Sequence, residues 1–236
     1  MKVSDGCKRC YAETLARRTG NDVWGPPERS HRRLFGDAHW LEPVKWNKSA
    51  FDGNRKDRVF CGSMCDVFED HPGVTDERQR LFELIRRTKS LTWLLLTKRI
   101  ENVMEMVPED WRGGFPSNVW IGTSVENQYY ADKRLRYLSA IQASVRFVSC
   151  EPLLEMVTLK EFLTDVTPID WVIVGGESGA GKRHFDADWA RQIRDECLEN
   201  GVAFFMKQID KIQPVPEDLQ IRQLPNPLES LMEELF

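Results

Sequence analysis

The 236-residue chain has no apolar run approaching the ~20 residues that a bilayer-spanning helix requires. Its opening, Met-Lys-Val-Ser-Asp, has no apolar core of the kind a secretory leader carries. Those two absences predict a cytoplasmic protein with no membrane partner. Histidine is scarce: His31, His39, His71 and His184 are all there is, and none stands at a paired metal-ligand spacing. Charge of one sign does not dominate either, and a net charge of −4 argues against indiscriminate nucleic-acid binding. Within that balance Lys8, Arg9, Arg17, Arg18, Arg29, Arg32 and Arg33 make the first segment locally basic. Such a face can meet an anionic substrate or simply be solvated surface.

What the chain does have is cysteine, six in all, two of them in the stretch Gly-Cys-Lys-Arg-Cys-Tyr-Ala-Glu over residues 6–13. Cys7-x-x-Cys10 at a loop-to-helix transition can point two sulfurs at one centre. Four readings follow: a zinc site, part of an iron-sulfur cluster, a redox dithiol, or two small buried residues. Cys61-x-x-x-Cys65 can in principle complete a four-sulfur zinc set. Cys61, however, falls inside an expected strand and Cys65 just past its end, so convergence is not implied and Cys61 reads as core.

Periodicity organises the rest. Apolar, β-rich runs recur at 58–64, 92–97, 118–124, 146–149, 171–175 and 203–207, and helical patterns fall at 11–18, 76–89, 127–140 and 186–200. Runs such as Trp-Leu-Leu-Leu-Thr are apolar on both faces, which is the mark of a parallel sheet covered by helices. The pattern predicts an α/β fold with about six parallel strands, either a doubly wound sheet or a full or partial (β/α) barrel. Residues 1–210 read as one domain, with an irregular, aromatic-rich insertion at about 20–57. A proline-punctuated tail over 211–236 ends in a candidate helix at 227–236.

In such folds the loops at the carboxyl ends of the strands build the site. Those ends read Ser63-Met64-Cys65-Asp66, Thr97-Lys98-Arg99, Ser124-Val125-Glu126-Asn127, Cys150-Glu151-Pro152, Gly175-Gly176-Glu177-Ser178-Gly179 and Lys207-Gln208. Polar residues beside glycines at every strand end predict one shared mouth. The segment Gly176 to Lys182 satisfies G-x-x-x-x-G-K, yet Arg183 stands where a phosphate-binding loop needs a magnesium-binding hydroxyl, and the next helix starts late. A nucleotide triphosphatase is therefore not expected.

Several motifs carry a resemblance: Gly-Cys-x-x-Cys-Tyr-Ala-Glu, Ser-Met-x-Asp-x-Phe, Leu-Thr-Lys-Arg, Asn-Val-Trp-Ile-Gly-x-Ser-Val-Glu-Asn-Gln, Arg-Phe-x-Ser-x-Glu-Pro-Leu-Leu and Ile-Asp-Trp-Val-Ile-Val-Gly-Gly-Glu-Ser-Gly. In this order they resemble an uncharacterised phage-associated family with a three-cysteine motif, itself similar to radical S-adenosylmethionine (SAM) enzymes. The resemblance implies a partial (β/α) barrel with a four-iron four-sulfur cluster at its mouth, an electron donor, a partner protein, and a radical derived from SAM that modifies a substrate, with nucleic acid favoured. It implies Cys7 and Cys10 as metal ligands, and Ser63, Asp66, Thr97, Ser124, Glu126, Glu151, Gly175, Gly176 and Glu177 as candidates for holding SAM or substrate. The family pattern has a further cysteine upstream of Cys7, so the chain reads as N-terminally truncated. The alternative is a binding module with a structural zinc or no metal.

Overall fold

The computed structural model describes residues 2–226 apart from Asp22, Pro27, Glu28, Ser63, residues 166–168 and Ala180. The candidate Ser63 and the candidate helix at 227–236 lie outside the described residues. The described residues form six strands: β1 Asp57–Cys61, β2 Leu91–Thr97, β3 Val119–Ser124, β4 Val145–Cys150, β5 Trp171–Gly175 and β6 Ala203–Gln208. Every neighbouring pair is parallel, and the order in the sheet is the order in the chain. A doubly wound sheet needs a point where strand order reverses; here there is none, so the sheet curls one way into a half-barrel.

Strand alternation sorts the side chains into two cores. On the convex side Leu91, Trp93 and Leu95 of β2, Val119 and Ile121 of β3, Val148 of β4 and Val172 and Val174 of β5 join the main core with the helices. On the concave side Leu94, Trp120, Val145, Phe147, Trp171 and Ile173 form a second cluster, against which Leu96 and Phe205 pack. Trp171 gathers its rings, with centroids 6.1 Å from Trp120, 5.8 Å from Phe147 and 6.0 Å from Phe205. Burial of side chains of this size stabilises by about 1.5–3 kcal/mol each.

The helices are α1 Tyr11–Arg18, α2 Asp37–Asp52, α3 Thr75–Arg87, α4 Val103–Met106, α5 Gln128–Ser139 and α6 Ala187–Glu199. In α3, Leu81, Phe82, Leu84 and Ile85 are buried, and acidic Asp76 and Glu77 open the helix while Arg86 and Arg87 close it, in accord with the helix dipole. Asn127 caps α5 by accepting from the Tyr130 amide at 3.1 Å, and Asp186 caps α6 by accepting from the Asp188 amide at 2.9 Å.

Helix α2 corrects the expectation of an irregular insertion over 20–57. Only Pro43 and Ala50 of it are buried, while Leu41, Val44, Trp46 and Phe51 are exposed. A proline within the helix and apolar residues on more than one face hide the 3.6 period from a sequence reading. Within the tail, Ile221–Gln223 run antiparallel along the outer edge of β6, with Met206 N donating to Ile221 O at 2.9 Å and Gln223 N to Phe204 O at 3.0 Å.

Candidate functional site

The segment around Cys7 lies across the carboxyl ends of the central strands. The Ser4 hydroxyl donates to Glu126, Asn127 donates to Asp5 at 3.3 Å, and the Tyr130 hydroxyl donates to Val3 O at 3.1 Å. From the β5 side Arg183 donates to Asp5 O at 3.1 Å, and Arg9 bonds to Gly181 O. Gly6 is required by this closeness, because a Cβ there would stand 2.7 Å from the Glu126 carboxylate and 3.1 Å from Pro152. Cys7, Cys10, Glu126 and Glu177 therefore share one end of the barrel.

Several candidate residues turn out to be brackets within the fold. Glu126, fully buried after β3, accepts from Ser4, from Lys98 and from Arg134 Nη1 at 2.8 Å. Burial opposes its ionisation, but Lys98 and Arg134 outweigh that and hold its pKa below the ordinary value. Asp66 accepts from the Thr97 hydroxyl at 2.7 Å, the Lys98 amide at 3.1 Å and Arg99 Nη1 at 2.9 Å, which pins the loop after β1 to that after β2. Glu177 accepts from the Arg183 amide at 2.8 Å and from its guanidinium.

Glu151 lies over Gly175, where a Cβ would come within 2.8 Å of its Oε1, and pairs with Lys207 of β6 at 3.1 Å. The Ser149 hydroxyl reaches Glu151 at 3.4 Å, and Ser124 is buried. A Cβ at Gly176 would overlap the Ile209 carbonyl oxygen. Lys182 is engaged by Asp210 at 2.6 Å, and α6 begins only at Ala187. The Gly176-to-Lys182 loop thus does not lead directly into a helix as a phosphate loop would.

Open space lies beside this bracket. A cleft of about 530 Å³ is bounded by Lys2 and Val3, by Glu69 and Asp70 after β1, by Lys98, Arg99, Glu101 and Asn102 after β2, and by Tyr130, Lys133 and Arg134 on α5. Positions 130, 133 and 134 share one helix face by spacing, and the Arg134 guanidinium lies 4.1 Å from the Tyr130 ring centroid. Five cations face three carboxylates here, and the strand-end acids Asp66 and Glu126 stand behind Arg99, Lys98 and Arg134 rather than in the cleft. Lys98 and Arg99 were visible in the Leu-Thr-Lys-Arg motif. Lys133 and Arg134 were not, because helix surfaces commonly carry such charges.

The thiols fit a cluster poorly. Cys7 is buried with its sulfur 3.6 Å from the Ser4 hydroxyl, and Cys10 stands at the N-cap of α1. Burial and then the neighbouring Cys65 push the Cys61 thiol up to about 12. Cys65 is exposed as a residue, yet desolvation of its sulfur, followed by Asp66 and Glu69, pushes it up to about 11. Among the described residues no three of His, Cys, Asp and Glu are grouped to hold a metal. A cluster that leaves one iron for SAM needs three thiolates, and this segment supplies two.

Residues 1–224 match the family model described as a protein of unknown function, DUF5131. The chain belongs to that family. No curated protein and no solved structure matches it. The family is uncharacterised, and its match carries no link to phage or to radical SAM enzymes. Among the described residues, no helix is long and apolar enough to cross a membrane.

Proposed function

We propose that the protein binds a phosphate-bearing molecule of nucleotide size, nucleic acid being the favoured source, in the cleft between the N-terminal segment, the loop after β2 and α5. The observation that supports this reading is the set of cations on the cleft walls, three of which are held from behind by carboxylates. Lys98 and Arg134 are fixed by Glu126, and Arg99 by Asp66. Donors fixed before the ligand arrives lose little freedom on binding. Lys133 is joined to Glu101 only at 3.9 Å and is about half exposed, so an incoming anion displaces a pair worth little. The volume suits a single nucleotide, and Tyr130 adds a ring to the wall.

Calorimetric titration with adenosine monophosphate, inorganic phosphate and a short single-stranded oligonucleotide tests the reading. Binding should weaken with salt, and Lys133→Ala should reduce the slope of log affinity against log salt by roughly 0.7–1 for the oligonucleotide. Absence of binding by all three, or binding indifferent to both salt and Lys133→Ala, overturns it.

The radical SAM reading stands second, favoured by the position of Cys7-x-x-Cys10 at the same end of the barrel as the cleft. It requires a third thiolate, together with SAM, an electron donor and the partner protein that the resemblance implies.

A further inference from the structure

Helix α5 carries aromatic rings on its outer face, where a surface helix ordinarily carries charged and polar groups. Ala131, Arg134, Leu135 and Leu138 are its buried residues. By the 3.6 period Tyr129, Lys133, Arg136 and Tyr137 share the exposed side. Tyr129 is 65% exposed and Tyr137 50%. The order along the axis is ring, two cations, ring. Asp132, at the margin of this face, accepts from Gln128 Nε2 at 2.8 Å.

The face is continuous with the cleft. Lys133 belongs to both, and Tyr129 meets Tyr130 of the cleft wall nearly edge-on, with ring centroids 5.1 Å apart and planes at 79°. The Arg134 guanidinium in turn lies 4.1 Å from the Tyr130 ring centroid. A row of packed groups therefore runs from the cleft on to the helix surface, and a ring held by its neighbours loses little freedom when a ligand stacks on it.

Spacing then bears on the size of the ligand. Tyr129 and Tyr137 are eight residues apart, or ~12 Å along the axis at ~1.5 Å per residue. Successive phosphates of one stacked strand are only ~3.4 Å apart. A single nucleotide in the cleft cannot meet both rings, whereas a strand of several nucleotides can.

We infer that the outer face of α5 extends the cleft into a track for single-stranded nucleic acid, with bases stacking on Tyr129 and Tyr137 and phosphates between them meeting Lys133 and Arg136. The inference rests on the reading of the cleft given above and adds that the ligand is a polymer. Aromatic rings interleaved with cations suit unpaired bases on an anionic backbone. A duplex offers no free base face to a ring, and an acidic peptide would meet the cations but leave both tyrosines without a flat partner.

Fluorescence anisotropy with the full chain, using oligothymidylates from about 3 to about 10 nucleotides, tests the track, with adenosine monophosphate binding followed by calorimetry. Affinity should rise with length above that for the mononucleotide. Tyr129→Ala and Tyr137→Ala should each weaken the longer oligomers roughly five- to a hundredfold, and Tyr137→Phe should keep their affinity. Tyr137→Ala, outside the cleft walls, should leave adenosine monophosphate binding as it was. Arg136→Ala should lower the salt slope for the oligomers by roughly 0.7. Oligomers that bind no tighter than the mononucleotide, or that both alanine variants leave unaffected, overturn the track while the cleft reading stands. Equal binding of an abasic oligomer, a duplex or a polyglutamate peptide of the same charge overturns it too. No binding by adenosine monophosphate, phosphate or any oligomer overturns both.

Discussion

Glu126 and Arg134 form an ion pair at 2.8 Å in which the carboxylate is fully buried and the guanidinium side chain only 2% exposed. The same carboxylate holds Lys98 and Ser4, so one side chain joins β3, α5, the loop after β2 and the N-terminal segment. Removing one partner of such a pair leaves a buried charge without compensation and costs about 3–5 kcal/mol. Arg134→Met should therefore lower the melting temperature by roughly 6–20 °C, at about 2–4 °C per kcal/mol for a chain of this size. Differential scanning calorimetry measures it. A change under about 1 kcal/mol would mean that Lys98 alone satisfies Glu126.

The same site sets an acid limb. The folded-state pKa of Glu126 lies below its ordinary value of 4.5, because Lys98 and Arg134 outweigh burial. A carboxylate shifted down contributes stability that is fully present above its unfolded pKa and is lost as pH falls through the folded one. Glu69, paired with Arg32 and Arg99, and Glu13, paired with Lys2 and Arg17, are shifted in the same direction. Stability should hold from neutrality to about pH 5 and fall below it. Glu126→Gln should be less stable than wild type at pH 7, with the gap narrowing at low pH. Urea unfolding at several pH values distinguishes this from a constant gap, which would place the cost in packing.

Glycines give a contrast between close approach and open space. A Cβ at Gly122 would stand 2.5 Å from the ring of Phe147, which is fully buried and has no room to retreat, whereas a Cβ at Gly113 meets nothing within 4 Å. Gly122→Ala should cost about 1–3 kcal/mol by overpacking the concave core. Gly113→Ala should fall within about 0.5 kcal/mol of wild type. Equal effects in chemical denaturation would show that the lumen is looser than its packing implies.

Much of the scaffold could be read from the chain, for physical reasons that also explain what could not. The strand expected at 171–175 is found at Trp171–Gly175, and that expected at 118–124 at Val119–Ser124, because strands buried on both faces read as uninterrupted apolar runs. Helix α2 escaped because its exposed Leu41, Val44 and Phe51 break the one-sided pattern that marks a helix. At the mouth, spacing located Glu126, Asp66 and Glu177 but not their partners. Arg134 lies eight residues beyond Glu126 on a helix face, Arg99 comes from the loop after β2, and only the folded chain brings them together. The cleft is accordingly lined by residues next to the expected ones, which stand behind it.

The last prediction concerns metal. Cys7 and Cys10 are the two thiols that the N-terminal segment brings to the mouth, and no third His, Cys, Asp or Glu joins them in a metal-sized group among the described residues. Cys65 is a poor substitute: it is not grouped with Cys7 and Cys10 in a metal-sized set among the described residues, and desolvation, then Asp66 and Glu69, push its thiol up to about 11, so that forming its thiolate costs more until a bound metal drives the proton off. Cys61 is held still higher, at about 12, by burial and by Cys65. Reconstitution with iron and sulfide under anaerobic conditions should therefore leave the protein with well under one four-iron cluster per chain, and what binds should be lost on desalting. Cys10→Ala should remove that residue of binding, while Cys65→Ala should leave it unchanged. Zinc should likewise bind weakly, since a structural zinc site closes with four ligands. Stoichiometric iron and sulfide with a broad visible absorbance, abolished by Cys65→Ala, would show that Cys65 moves in to complete the set. The radical reading would then displace simple binding as the leading account of the mouth.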